Sequence, residues 1–141
     1  MSGEWTVAQM AELGTRHALL EGKGDLEGVL ATLVDDPVYE FYPLGRRMAG
    51  RDIVRQFYAQ FVERFLPLRH SYALVGEWVN PTSVAQEYDV GLEVEGIVET
   101  HRVLGILQYG ERGLLGGERV YASDRFIRLL TGPVFAALEP L

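Results

Sequence analysis

Apolar positions recur at helical spacing in the first half of the chain and at strand spacing in the second. Met10, Leu13, His17 and Leu20 fall on one face of a helix that starts near Val7. Thr6 and Gln9 form a capping box ahead of it, with Trp5 and Met10 placed to close as a hydrophobic staple. Gly22-Lys23-Gly24 ends this helix. Asp25 caps a second, shorter helix with the apolar face Leu26, Val29, Leu30 and Leu33, stopped by Asp35-Asp36-Pro37. Val38 to Tyr42 reads as a short strand and Leu44 to Gly50 as a loop. A third helix runs from about Arg51 to Phe65 on the stripe Val54, Phe57, Tyr58, Phe61, Val62 and Phe65.

Past Pro67 the period becomes two. His70 to Val79, Ser83 to Val94, Ile97 to Tyr109 and Leu114 to about Arg125 read as four long strands. Their connections are too short for crossovers, which predicts antiparallel pairing. Val84, Gln86, Tyr88, Val90 and Leu92 share one side of the second strand, and Ala85, Glu87 and Asp89 the other. The tail from Gly132 to Leu141 is apolar with two prolines. Three N-terminal helices followed by hairpin-linked strands predict one α+β domain over residues 1–141.

Composition narrows the chemistry. With 48% apolar and 23% charged residues, the 141-residue chain sits in the globular range. It has no cysteine, which removes disulfides, thiolate nucleophiles and cysteine-held metals. Lys23 is the only lysine, so a Schiff-base mechanism is not expected. The net charge of −7 with scattered arginines argues against nucleic-acid binding. No apolar run is long enough to span a membrane, and the stretch from Met1 to Met10 lacks the pattern of a secretion signal. A cytoplasmic location without membrane attachment is the expectation.

Three segments carry a resemblance. R-H-A-L-L-E-G-K-G-D-L-E-G (Arg16 to Gly28), M-A-G-R-D-I-V-R-Q-F-Y (Met48 to Tyr58) and G-L-L-G-G-E-R-V-Y (Gly113 to Tyr121) occur in order and at fitting spacing. Together they resemble the nuclear transport factor 2-like superfamily, and within it the SnoaL-like, polyketide cyclase-like branch, related to ketosteroid isomerases and limonene epoxide hydrolases. The resemblance spans about Ala8 to Phe135. It implies a cone-shaped α+β barrel with the helices packed in a bent antiparallel sheet around a pocket. It also implies a homodimer, formed through an outer face carrying Leu104, Ile106 and Tyr88, and a small apolar or oxygenated ligand. Cofactor-free acid–base catalysis and non-catalytic ligand binding both remain open.

Candidate residues follow from the resemblance and from parity. His17 stands where the isomerases place an oxyanion-donating tyrosine, and Tyr58 matches its helix-three neighbour. An imidazole there can donate a hydrogen bond or take a proton. Where the isomerases hold a catalytic carboxylate, Phe41 or Tyr42 stands here, so Tyr42 is expected as pocket wall or core. Glu87 and Asp89 share a strand face; turned to the pocket they would form a proton-sharing pair, turned outward a solvated face. In the last strand Val120 falls at the family aspartate, with Asp124 the alternative if the register slips by four. Glu118 then points the same way as Val120, to line the cavity or to pair with an arginine. His101 shares a face with Gly105, where the isomerases carry a protonated acid. Phe57 and Val103 are expected as apolar lining. The three histidines lie on separate elements, and no metal or cofactor motif is present.

Overall fold

Thr6 accepts from the Gln9 amide while the Gln9 side chain bonds back to the Thr6 amide, so α1 (Val7–Lys23) begins on the capping box. Trp5 donates to Met10 Sδ and stacks on Tyr109, tying the helix start to the sheet. Gly24, in the left-handed conformation, closes α1. The computed structural model describes residues 4–141; Met1 to Gly3, part of the stretch read for a secretion signal, lie outside them.

Asp25 caps α2 (Leu26–Leu30), which is shorter than the apolar spacing predicts. Leu33 belongs instead to β1 (Leu33–Tyr42), which continues through Asp35-Asp36-Pro37. Pro37 is tolerated because it lies where the pairing register shifts, and a bulge needs no ladder donor. The stretch read as a loop contains β2 (Arg46–Ala49). α3 (Arg51–Gln60) widens into a π-helical turn (Phe61–Phe65) and tightens into a 3₁₀ turn (Leu66–Leu68) ending at Pro67 and Leu68. β3 (Arg69–Asn80), β4 (Ser83–Val94), β5 (Ile97–Glu111) and β6 (Leu114–Tyr121) follow the period-two pattern. The last strand stops at Tyr121 rather than near Arg125. Ser123 accepts from the Phe126 amide and starts α4 (Asp124–Thr131), which buries Phe126, Ile127 and Leu130. A 3₁₀ turn (Gly132–Ala137) and β7 (Glu139–Pro140) complete the tail.

The sheet order is β3-β4-β5-β6-β1-β2-β7. The four long strands are antiparallel neighbours, as expected. The sheet as a whole is mixed, because β1 runs parallel to β6. Nor are the first three helices consecutive: β1 and β2 separate α2 from α3, and α4 is a fourth helix. Register shifts within the β3–β4 and β5–β6 pairs mark bulges, which bend strands and raise their twist. The core joins α1, α3 and α4 to the inner sheet face through Met10, Leu13, Tyr58, Phe126 and Leu92, all nearly solvent-free.

The parallel β1–β6 contact depends on Gly117. Its φ is 146°, and a β-carbon there would overlap the Val38 carbonyl. Gly117→Ala should therefore cost about 2 kcal/mol or more in urea unfolding. Gly96→Ala, at φ 79° in the open β4–β5 turn with nothing within 4 Å, should cost about 1 kcal/mol. Equal losses would show that the β1–β6 approach is not tight.

Candidate functional site

A cavity of about 610 Å³ opens between α1, α3, α4 and the inner sheet face. That volume suits a drug-sized molecule. Its apolar part is largely aromatic. Phe57, Phe61 and Phe65 come from α3 and its wide turn, Phe126 from α4, and Phe41 and Tyr88 from the sheet. One wall is polar, built from His17, Glu21, Tyr39, Tyr58 and Glu118.

The wall starts at Thr32. Its hydroxyl donates to the Val29 carbonyl at 2.6 Å, which uses its only proton. The 2.8 Å contact to His17 Nδ1 is therefore a donation from the imidazole to Thr32. This fixes the tautomer and leaves Nε2 facing inward. Nε2 lies 3.2 Å from Glu21 Oε2 and 3.3 Å from the Tyr58 hydroxyl. Tyr58 donates to the same Glu21 oxygen at 2.9 Å, so the 2.6 Å contact between Tyr39 and Tyr58 is a donation from Tyr39. Two tyrosine protons thus run in series toward one carboxylate. Nε2 thus stands between the Glu21 carboxylate and the Tyr58 hydroxyl.

The two glutamates are held in opposite states. Burial alone would push the Glu21 carboxyl up, but the hydrogen bond and charge of His17, the Tyr58 hydroxyl and the charge of Arg69 together hold it below its ordinary value. Glu118 is pushed well above the usual carboxylate range by burial, and then by the negative charge of Glu21. No hydrogen bond to a described residue offsets this. Burial, reinforced by nearby negative charge, likewise drives the Tyr58 and Tyr39 hydroxyls well upward, so both remain donors. His17, Glu21 and Glu118 bring one donor atom each to within 4.8 Å of one another, the one group among the described residues with the spacing to hold a metal ion.

Phe57, Tyr58, His17, Glu118 and Val120 all border the cavity. Val120 does so in the unshifted register, while Asp124 begins α4 and pairs with Arg128 at 2.7 Å. Other expected residues lie elsewhere. Glu87 and Asp89 occupy the outer sheet face, where Arg102 clasps both at 2.8 and 2.6 Å; strand parity turns them outward because Tyr88 and Val90 turn in. Tyr42 also faces out, stacked on Tyr121 and donating to Glu40, because Tyr39 and Phe41 take the inner positions. Tyr88, expected on the outer face, lines the cavity. Val103 is fully buried but is not part of the lining. His101 has the inner parity, yet it sits under α4 with Nε2 2.8 Å from Glu99 and its ring against Phe126. Arg125 and His101 together hold the half-buried Glu99 down to about 2, a clip between α4 and β5 outside the cavity.

This arrangement of helices around a bent sheet has solved counterparts. A protein from Kribbella flavida DSM 17836, provisionally described as a ketosteroid isomerase, superposes with a TM-score of 0.68 at 16% identity, covering 84% of this chain and 80% of that one. The two chains share a fold. Matching structures number 263 chains, so the fold by itself selects no activity. No protein-family model matches the sequence, and no curated protein matches it.

The polar wall of the cavity includes residues that reasoning from resemblance passes over. Glu21 lies four residues after His17 on α1, a spacing that puts the two side chains together. Tyr39 lies two residues before Phe41 and so shares its inward face.

The carboxyl of Glu118 titrates higher in the folded chain than in the unfolded one. Its stabilising share is then fully present below about pH 4.3, the ordinary glutamate value, and is lost as pH rises through the folded value. In Glu118→Gln this loss disappears. The melting temperature of the variant relative to the parent should therefore climb as pH rises above about 4.3, the ordinary glutamate value. A difference that stays constant would show that Glu118 ionises normally.

Proposed function

We propose that this chain is a SnoaL-like small-molecule enzyme that performs acid–base chemistry on a largely apolar, oxygenated substrate. The observation that carries this reading is the pair of carboxyl groups on one cavity wall, Glu21 hydrogen-bonded by Tyr58 and close to His17, Glu118 buried without a described hydrogen-bond partner, so that one is pushed down and the other up. Such a split is how a single site supplies both a proton donor and an anionic partner near neutral pH. Glu118 gives its proton to the substrate oxygen. Glu21 takes up the proton released by the substrate or by an attacking water, and proton exchange with solvent after product release returns both carboxyls to their starting states. His17, held by Thr32, and the Tyr39–Tyr58 pair orient Glu21. The aromatic lining excludes water and strengthens both effects.

A non-catalytic ligand-binding role is the second reading. It is favoured by Phe41 occupying the inward β1 position where the resembling isomerases carry their base.

Product formation from a panel of apolar epoxides and enolisable cyclic ketones, measured with EDTA present, distinguishes the two. Glu118→Gln should lower turnover by about 100-fold or more and His17→Gln by at least about tenfold, with both variants folded. Binding of panel members without turnover would leave the ligand-binding role. Turnover abolished by EDTA in the parent would replace the metal-free mechanism.

We also propose that the chain forms a homodimer through the outer sheet face. Trp78 is 58% exposed there, and Leu104 and Ile106 stand on the same face, an apolar patch that a second copy would cover. Sedimentation should give about twice the 15.8 kDa chain mass. A stable single-chain species at micromolar concentration would overturn this.

A further inference from the structure

The mouth of the cavity differs from its floor in both exposure and charge. The last turns of α1 and the start of β3 frame it. Leu19, Tyr72 and Leu74 line it with their side chains about half in solvent. Two cations border the same opening, Lys23 at the end of α1 and Arg69 at the first position of β3.

Of the 13 basic residues in this chain, five arginines have a carboxylate of a described residue within 4.0 Å. Arg55, Arg102, Arg125 and Arg128 are among them, all on the outside of this molecule. Neither Arg69 nor Lys23 has a carboxylate of any described residue within 4.0 Å. The position of Arg69 is nonetheless defined. Its guanidinium carbon lies 5.6 Å from the centre of the Tyr72 ring, and its Nη2 lies 3.6 Å from the point where a β-carbon on Gly22 would stand. A β-carbon at that point would make only an ordinary contact, so the guanidinium lies against the end of α1 without straining it. A planar, oriented guanidinium without a protein carboxylate is a ready receptor for an oxyanion, and the neighbouring lysine adds a second charge.

Acidic groups near the mouth do not fill this role. Glu77 lies on the β3 side, tied to the Gln86 amide at 2.7 Å. Glu21 lies deeper and feels the charge of Arg69 only across a distance, with its facing oxygen engaged by Tyr58 and within 3.2 Å of His17.

We propose that the cavity takes molecules that carry an anionic group, a carboxylate or its like, at the end left at the mouth, where Arg69 and Lys23 hold it. The apolar body then lies on the aromatic lining, and the oxygenated end reaches the wall of Glu21 and Glu118. This inference rests on the reading of the cavity as a small-molecule site and adds the polarity and orientation of what enters it.

Two fluorescent probes test it directly. 8-Anilinonaphthalene-1-sulfonate and N-phenyl-1-naphthylamine share the same aromatic body and differ by the sulfonate. Titrated into the full chain at low salt, the sulfonate should bind at least about fivefold more tightly than the neutral probe. Arg69→Gln should remove that preference and leave affinity for the neutral probe unchanged, with Lys23→Gln producing a smaller loss of the same kind. Val120→Trp, which fills the cavity, should abolish binding of both and so separates the cavity from the exposed sheet surface. Equal affinity of the two probes in the parent, or a loss for both in Arg69→Gln, would overturn the anionic preference while leaving the cavity a ligand site. Binding unaffected by Val120→Trp, or no binding of either probe, would overturn the small-molecule reading and this inference with it.

Discussion

Two carboxyl groups share one water-poor cavity wall, and they cannot both be charged at little cost. Everything around them resolves that conflict in one direction. Glu21 receives the Tyr58 hydroxyl and the approach of His17, so its charge is supported. Glu118 receives nothing of the kind, and burial and the charge of Glu21 push its carboxyl well above the usual range. Desolvation of an isolated carboxylate costs several kcal/mol even after relaxation, more than one surface hydrogen bond returns. The asymmetry therefore follows from the packing. α1 brings His17 and Glu21 as neighbours one turn apart, whereas β6 brings Glu118 beside Val120 and opposite Leu107.

Gly105 shows how the sheet accommodates this. A β-carbon there would lie 2.7 Å from Glu118 Oε1, so the absence of a side chain on β5 is what lets the carboxyl lie across the strand. Across the sheet, Arg102 gathers Glu87 and Asp89, and near α4 Arg125 gathers Glu99. The outer acids have arginines to answer them; the inner acid of β6 does not.

Much of this fold is legible in local sequence. The capping box, the staple of Trp5 and Met10, the left-handed Gly24 and the alternation in β4 act over a few residues, so the chain displays them directly. Parity in β6 likewise puts Glu118 and Val120 on the same side as the cavity. What eludes such reading depends on partners distant in sequence. Leu33 looks helical by spacing, yet the parallel ladder to β6 claims it as strand. Ser123-Asp124 reads as more strand until its capping role is seen, so α4 and the roof of the cavity go unnoticed. Glu87 and Asp89 illustrate the ambiguity of a polar strand face, which reads the same whether it meets a pocket or water. The mutual dependence of Tyr39, Tyr58 and Glu21 joins β1, α3 and α1, and no spacing within one element reveals it.

The wide turn at Phe61–Phe65 has a consequence of its own. A π-helical turn holds one residue more than an α-helical turn, and it is here that Phe61 and Phe65 stack 5.1 Å apart along the cavity. Each residue of a helix advances the side-chain direction by about 100°. Removing a single residue from this turn would swing Phe65, and the exit toward Leu66 to Leu68, by roughly that angle. The room inside this protein is thus governed partly by chain length at one helical turn. Insertion or deletion there would enlarge or shrink it with no change to the residues of the polar wall.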